Sequence, residues 1–99
     1  MGEMTAEEFM RSHADKASSG RIAEILGDLT PEAMSQVMPL MADGPNPPTG
    51  NTVVPRGRDG DDYVFDVTYT GDSDKVTSMR EWVRQVDGAW RIVRLEKPS

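Results

Sequence analysis

The 99-residue chain contains no cysteine and a single histidine, His13. The first absence excludes disulfide staples and thiol chemistry. The second confines any imidazole acid–base step to one position. Long apolar runs are missing too, and no stretch approaches the ~18 residues that a membrane-crossing helix needs. No membrane partner is therefore expected. The N-terminus, Met1-Gly2-Glu3-Met4-Thr5, lacks the basic and apolar regions of a secretory signal, and a cytoplasmic location is expected. Positive charge is scarce: 11 Lys and Arg stand against 17 Asp and Glu, for a net charge of −6. Such a surface repels phosphate backbones. Arg80, Arg84, Arg91 and Arg94 are interleaved with Glu81 and Glu96, which reads as a salt-bridged sheet face, so nucleic acid is not expected. The acids Asp59, Asp61, Asp62, Asp72 and Asp74 sit at turns, without the spacing or closing glutamate of a calcium loop. Phosphate-loop and nucleophile-elbow signatures are absent as well. No metal and no cofactor are expected.

What is present reads as one α+β domain over residues 1–99, with helices over about 5–41, a loop over 42–51 and a sheet over 52–96. Thr5-Ala6-Glu7-Glu8 is a capping box, with Met4 and Phe9 placed as a hydrophobic staple around it. Phe9, Met10, His13, Ala14 and Ala17 fall on one stripe at helical spacing, and Ser18-Ser19-Gly20 ends that helix. Ile22, Ile25, Leu26 and Leu29 mark a short second helix. Thr30-Pro31-Glu32 starts a third, with Thr at the N-cap and Pro at the first position. Met34, Val37, Met38 and Met41 form its apolar stripe, and Pro39 predicts a kink or an early stop.

From Thr52 the period changes to two. Tyr63, Phe65, Val67 and Tyr69 alternate with Val64, Asp66 and Thr68. Asp87-Gly88 closes a hairpin between residues 75–86 and 89–96, pairing Val83 with Ile92, Trp82 with Val93 and Glu81 with Arg94. With a four-residue turn at 71–74, one sheet face carries Tyr63, Phe65, Val67, Tyr69, Val76, Arg80, Trp82, Val93 and Leu95. The other carries Val64, Asp66, Thr68, Met79, Glu81, Val83, Trp90 and Ile92. A five-residue turn swaps the phase of the middle strand. With either turn both faces hold large apolar groups, and Met79, Val83, Trp90 and Ile92 leave too much apolar surface open to water, which predicts a homodimer through those residues.

Three capped helices followed by an antiparallel meander ending in Trp-Val-Arg-Gln-Val-Asp-Gly-Ala-Trp-Arg-Ile-Val (82–93) resemble the nuclear transport factor 2-like superfamily, of cystatin-like, SnoaL-like fold. The closing Asp87-Gly88, Trp90, Arg91 and Ile92, and the leading Gly20-Arg21-Ile22-Ala23, carry the likeness, and the chain is a short member by that measure. The resemblance implies a curved sheet wrapped around the first helix, an apolar pocket at the mouth of the cone and dimerisation through the sheet. It does not choose a function, because the fold hosts isomerases, cyclases, dehydratases and plain binding domains. The isomerase constellation needs a tyrosine on the first helix, which this chain lacks, so no catalytic residue is carried over.

The expected ligand site is an apolar pocket between the first helix and the sheet, lined by Phe9, His13, Met38, Phe65, Tyr69, Arg80 and Trp82. Its leading use is binding an apolar small molecule. The alternatives are a cofactor-free isomerase, cyclase or dehydratase in the same pocket, and an assembly module with no pocket of the ~300 Å³ typical of ligand sites. For proton transfer the candidates are His13, from the inner stripe of the first helix, and Asp66, a carboxylate among aromatics. Each also has a plain structural explanation: His13 as a packed histidine, Asp66 as a solvated or interface acid.

Overall fold

The computed structural model describes residues 4–42, 44–45, 48–72 and 75–98. Parts of the two expected loops (Asp43, Asn46, Pro47, Ser73 and Asp74), the terminal residues Met1–Glu3 and Ser99, and the side chain of Ile22 lie outside the described residues. Helix α1 (Ala6–Ser18) begins at the capping box: the Thr5 hydroxyl accepts the Glu8 N–H, and the Glu8 carboxylate accepts the Thr5 N–H. Its buried face is the stripe of Phe9, Met10, His13, Ala14 and Ala17, joined by Ala6. The helix closes in a Schellman turn. Arg21 N–H donates to the Lys16 carbonyl and Gly20 N–H to that of Ala17, with Gly20 at a φ of +77°, a conformation glycine adopts without steric cost.

That turn sends the chain back along α1 as α2 (Ile22–Leu26). Beyond α2 the backbone docks on the sheet: Ile92 N–H donates to the Asp28 carbonyl and Thr30 N–H to the Ile92 carbonyl. Helix α3 (Pro31–Ala42) is capped by the Thr30 hydroxyl, which accepts from Ala33 N–H. The early stop expected at Pro39 does not occur, and the helix runs through it to Ala42. Pro39 and Ser35 are both exposed, so the Ser35 carbonyl that loses its helical donor can turn to water. Leu40 and Met41, one step further, pack against the core and hold the last turn.

Strands β1 (Gly50–Asp59), β2 (Asp62–Thr70), β3 (Val76–Val86) and β4 (Ala89–Glu96) form one antiparallel sheet in sequence order. Asp87 and Gly88 both take positive φ, +53° and +83°, as a two-residue type I′ hairpin requires. The β2–β3 connection is the longer of the two alternatives, residues 71–75, with Thr70 opposite Val76. This corrects the face assignment of β3. Tyr69 stands opposite Thr77, Val67 opposite Met79 and Phe65 opposite Glu81, and directly opposed residues share a face. Met79, Glu81 and Val83 therefore look toward the helices, while Val76, Arg80 and Trp82 look away.

The expected pairs of Trp82 with Val93 and Glu81 with Arg94 are also corrected. Val83 faces Ile92, but Trp82 faces Arg94 and Glu81 faces Leu95, because Val93 is an extra, bulged residue. The bulge keeps Ile92 and Leu95 on the same buried side. A second bulge at Arg56 interrupts β1 between Pro55 and Gly57.

The core lies between the helices and the inner sheet face, where Met10, Ala14, Val67, Val83 and Ile92 are completely covered. The residues assigned to a second copy are thus turned inward. Met79, Val83 and Ile92 are buried under their own helices, and Trp90 packs edge-on against Tyr63 at 5.8 Å while its indole N–H donates to the Met4 carbonyl. On the outer face Trp82 is only 7% exposed. The Arg94 guanidinium covers its ring at 4.4 Å, and its indole N–H donates to Asp59. Among the described residues no helix is long and apolar enough to cross a membrane.

Candidate functional site

Between α1, α2, α3 and the inner sheet face lies a cavity of ≈ 180 Å³. Its walls are mostly hydrocarbon and thioether: Leu26 and Leu29 near the α2 end, Val37 and Met41 from α3, Met79 and Leu95 from the sheet. Met38 lines it too and is 65% exposed, so it forms the rim. Three polar side chains reach this apolar space: His13 from α1, Tyr69 from β2 and Glu81 from β3.

Glu81 is the exceptional group. It is 1% exposed, and no donor of the described residues reaches either of its carboxylate oxygens. An unpaired buried charge is among the costliest arrangements in a protein. Burial accordingly pushes the Glu81 carboxyl up to about 7, with the His13 charge acting weakly in the other direction. Tyr69 is raised well above its ordinary value by burial first and by the negative charge of Glu81 second.

His13 is held from behind. Its Nδ1 lies 3.0 Å from Asp28 Oδ2, and the same oxygen receives Lys16 Nζ at 2.9 Å. Burial alone would raise the Asp28 carboxyl, but the hydrogen bonds and charges of His13 and Lys16 outweigh it and leave Asp28 below the usual range. Asp28 is therefore a carboxylate that accepts, so Nδ1 carries the proton and Nε2 is left as the nitrogen able to act on a ligand. The Phe9 ring stacks on the imidazole at 6.4 Å between centroids. The Schellman turn brings Asp28 here, since it folds α2 back and sets Asp28 beside His13 and Lys16, one turn of α1 apart.

Of the residues expected in the pocket, His13, Met38 and Tyr69 line the cavity. Phe9 and Phe65 are members of the core beside it. Arg80 and Trp82 stand on the opposite side of the sheet, as the corrected phase of β3 requires. Asp66 is there too, gripped by Arg80 through Nε at 2.8 Å and Nη2 at 3.3 Å, with Arg56 at 3.3 Å. The Arg80 hydrogen bond holds the Asp66 carboxyl low against a smaller effect of burial, the reverse of a desolvated general base. Sequence reasoning missed Glu81 and Asp28. Glu81 had a signal: Thr77, Met79, Glu81 and Val83 alternate with polar residues, so a glutamate stands in the apolar phase of a strand.

Among the described residues, no three of His, Asp and Glu gather as a metal site. Comparison with family models, with curated proteins and with solved structures returns no match.

Proposed function

We propose that this chain is a small-molecule-binding domain whose ligand occupies the cavity under α3, with Glu81 as its polar anchor. The observation that carries the reading is a fully buried carboxylate, without a donor among the described residues, at the wall of a mostly apolar space. Pockets of this composition, hydrophobic with a few convergent polar groups, are the usual form of ligand sites. A volume of ≈ 180 Å³ is below the ~300 Å³ of drug-sized sites, but a ~150 Å³ apolar cavity already takes up benzene. The ligand is accordingly about the size of one ring. Small volume alone would suit an assembly module equally well. The orphan carboxylate favours binding, because a purely structural domain gains nothing from an acid that destabilises its core. Helices on one face of a four-stranded antiparallel sheet, with a cavity between them, also support the nuclear transport factor 2-like, cystatin-like reading.

Methyl-labelled methionine gives a direct test. Benzene titrated into the protein is expected to shift the Met38, Met41 and Met79 methyl resonances and to leave the remote, exposed Met4 unmoved. Uniform small shifts, or shifts at Met4 alone, would sink the pocket.

One observation favours a second reading as a cofactor-free proton-transfer enzyme. A carboxyl near 7 beside an imidazole fixed by Asp28 is matched to acid–base work at neutral pH. On that reading His13→Ala abolishes turnover while ligand affinity stays within several-fold, and the pH–rate profile follows a single group near 7. A profile unaffected by Glu81→Gln would exclude it.

A further inference from the structure

Resting on the binding reading above, we infer that the ligand is a small apolar amine bound as its ammonium ion, the cationic head on Glu81 and the hydrocarbon part against the Met41 and Met79 side of the cavity. The argument is a count of donors and acceptors. Glu81 brings two oxygens with no donor on either among the described residues. His13 gives its Nδ1 hydrogen to Asp28, so as a neutral imidazole it offers the cavity only an acceptor. The methionine sulfurs are weak acceptors and donate nothing. Against these acceptors the lining sets one hydroxyl donor, that of Tyr69, so acceptors still outnumber donors, which suits a head group carrying three N–H donors and no acceptor.

Charge points the same way. Buried charges are stable when paired, and an ammonium supplies the countercharge that the chain withholds from Glu81. The acidic surface, at a net −6, attracts cations and repels carboxylate ligands. Charge-assisted hydrogen bonds are roughly twice as strong as neutral ones, so a matched alcohol binds less well than the amine. Lys16 does not compete for the anchor, because its ammonium is spent on Asp28 at 2.9 Å.

Binding is linked to protonation in a diagnostic direction. The ammonium requires ionised Glu81, so affinity rises as pH climbs through the region near 7. A ligand that accepts a hydrogen bond from protonated Glu81 would instead weaken over the same range. The groups facing Glu81 are His13 from α1, backed by Asp28 and Lys16, and Tyr69 from β2. The lining residues of α3 and β4 are apolar. Glu81→Gln isolates the part of this dependence that belongs to Glu81.

The experiment titrates benzylamine, benzyl alcohol and benzoate into the full chain at pH 6 and pH 8, by calorimetry and by the methionine methyl spectrum. Expected is benzylamine binding at least tenfold tighter than benzyl alcohol at pH 8, with affinity about tenfold lower at pH 6. Glu81→Gln, whose fold the methyl spectrum verifies, erases the preference. Benzyl alcohol binding as well as the amine overturns the amine, and an amine preference that survives Glu81→Gln overturns Glu81 as its anchor, while either leaves the cavity a ligand site. If none of the three moves Met38, Met41 or Met79, and benzene does not either, the binding reading falls with it.

Discussion

At pH 8 the Glu81→Gln protein is expected to melt about 10–20 °C above the wild-type chain, and at pH 4 the two are expected to melt within a few degrees of each other. The reason is that the folded state holds the Glu81 proton far more tightly than the unfolded chain does. A carboxyl moved from 4.5 to about 7 corresponds to about 3 kcal/mol. The folded chain binds more protons than the unfolded one throughout that interval, so stability falls as pH rises from about 4.5 and levels off above 7. Glutamine keeps the shape of the protonated acid and never ionises, so the variant lacks this slope. Thermal denaturation followed by circular dichroism at half-unit pH steps reads it directly. Parallel curves for the two proteins would mean that Glu81 is compensated in solution by a group such as a protonated His13. An acid retained at such a cost, in a site where an amide would serve the core better, is the pattern of a stability–function trade.

Asp28→Asn is expected to lower stability at neutral pH by about 2–3 kcal/mol, the usual worth of hydrogen bonds to a charged group that is largely covered. The amide of the variant could still accept from one neighbour, but the Lys16 ammonium would lose its countercharge and His13 its fixed tautomer. The pH dependence runs opposite to that of Glu81. Asp28 lies below its ordinary 3.8 in the folded chain, so its contribution is complete above that value and is lost as pH falls through the lowered folded pKa. The gap between wild type and Asp28→Asn should therefore close in strong acid. A gap that stayed constant down to pH 2 would show that the loss comes from packing and not from the charge. From these two groups taken together, stability is expected to peak in acid, above the titration of Asp28 and below that of Glu81.

Much of this architecture is legible in the sequence wherever a local rule fixes the conformation. Thr5 and Glu8 mark the start of α1 because only short-range hydrogen bonds are involved. Asp87-Gly88 fixes its hairpin because few dipeptides accept two positive φ angles in a row. The alternation of Tyr63 to Tyr69 finds the inner face of β2. What local rules do not determine is phase between elements. One residue more in the 71–75 connection turns β3 over, and with it Met79, Glu81 and Val83 move from the outside to the core. That single step explains why Arg80 and Trp82 were expected in a pocket they do not reach. The extra residue at Val93 explains why Glu81 was matched with Arg94. Asp28 escaped for a different reason. It has no periodicity of its own, and its role depends on a backbone contact with Ile92, far away along the chain.

The two bulges carry a consequence for how this chain can change in length. At Val93 and at Arg56 one residue stands outside the ladder, and the pairs on either side of it remain in step without it. A deletion at either position leaves the assigned partners of β1 and β4 intact, whereas a deletion anywhere in β2 or β3 inverts the residues beyond it. Both bulges lie on the outermost strands, while Tyr69 and Glu81 stand on the two inner ones. Insertions and deletions can therefore accumulate at the margins of the sheet, and the spacing between the tyrosine and the carboxylate stays the same.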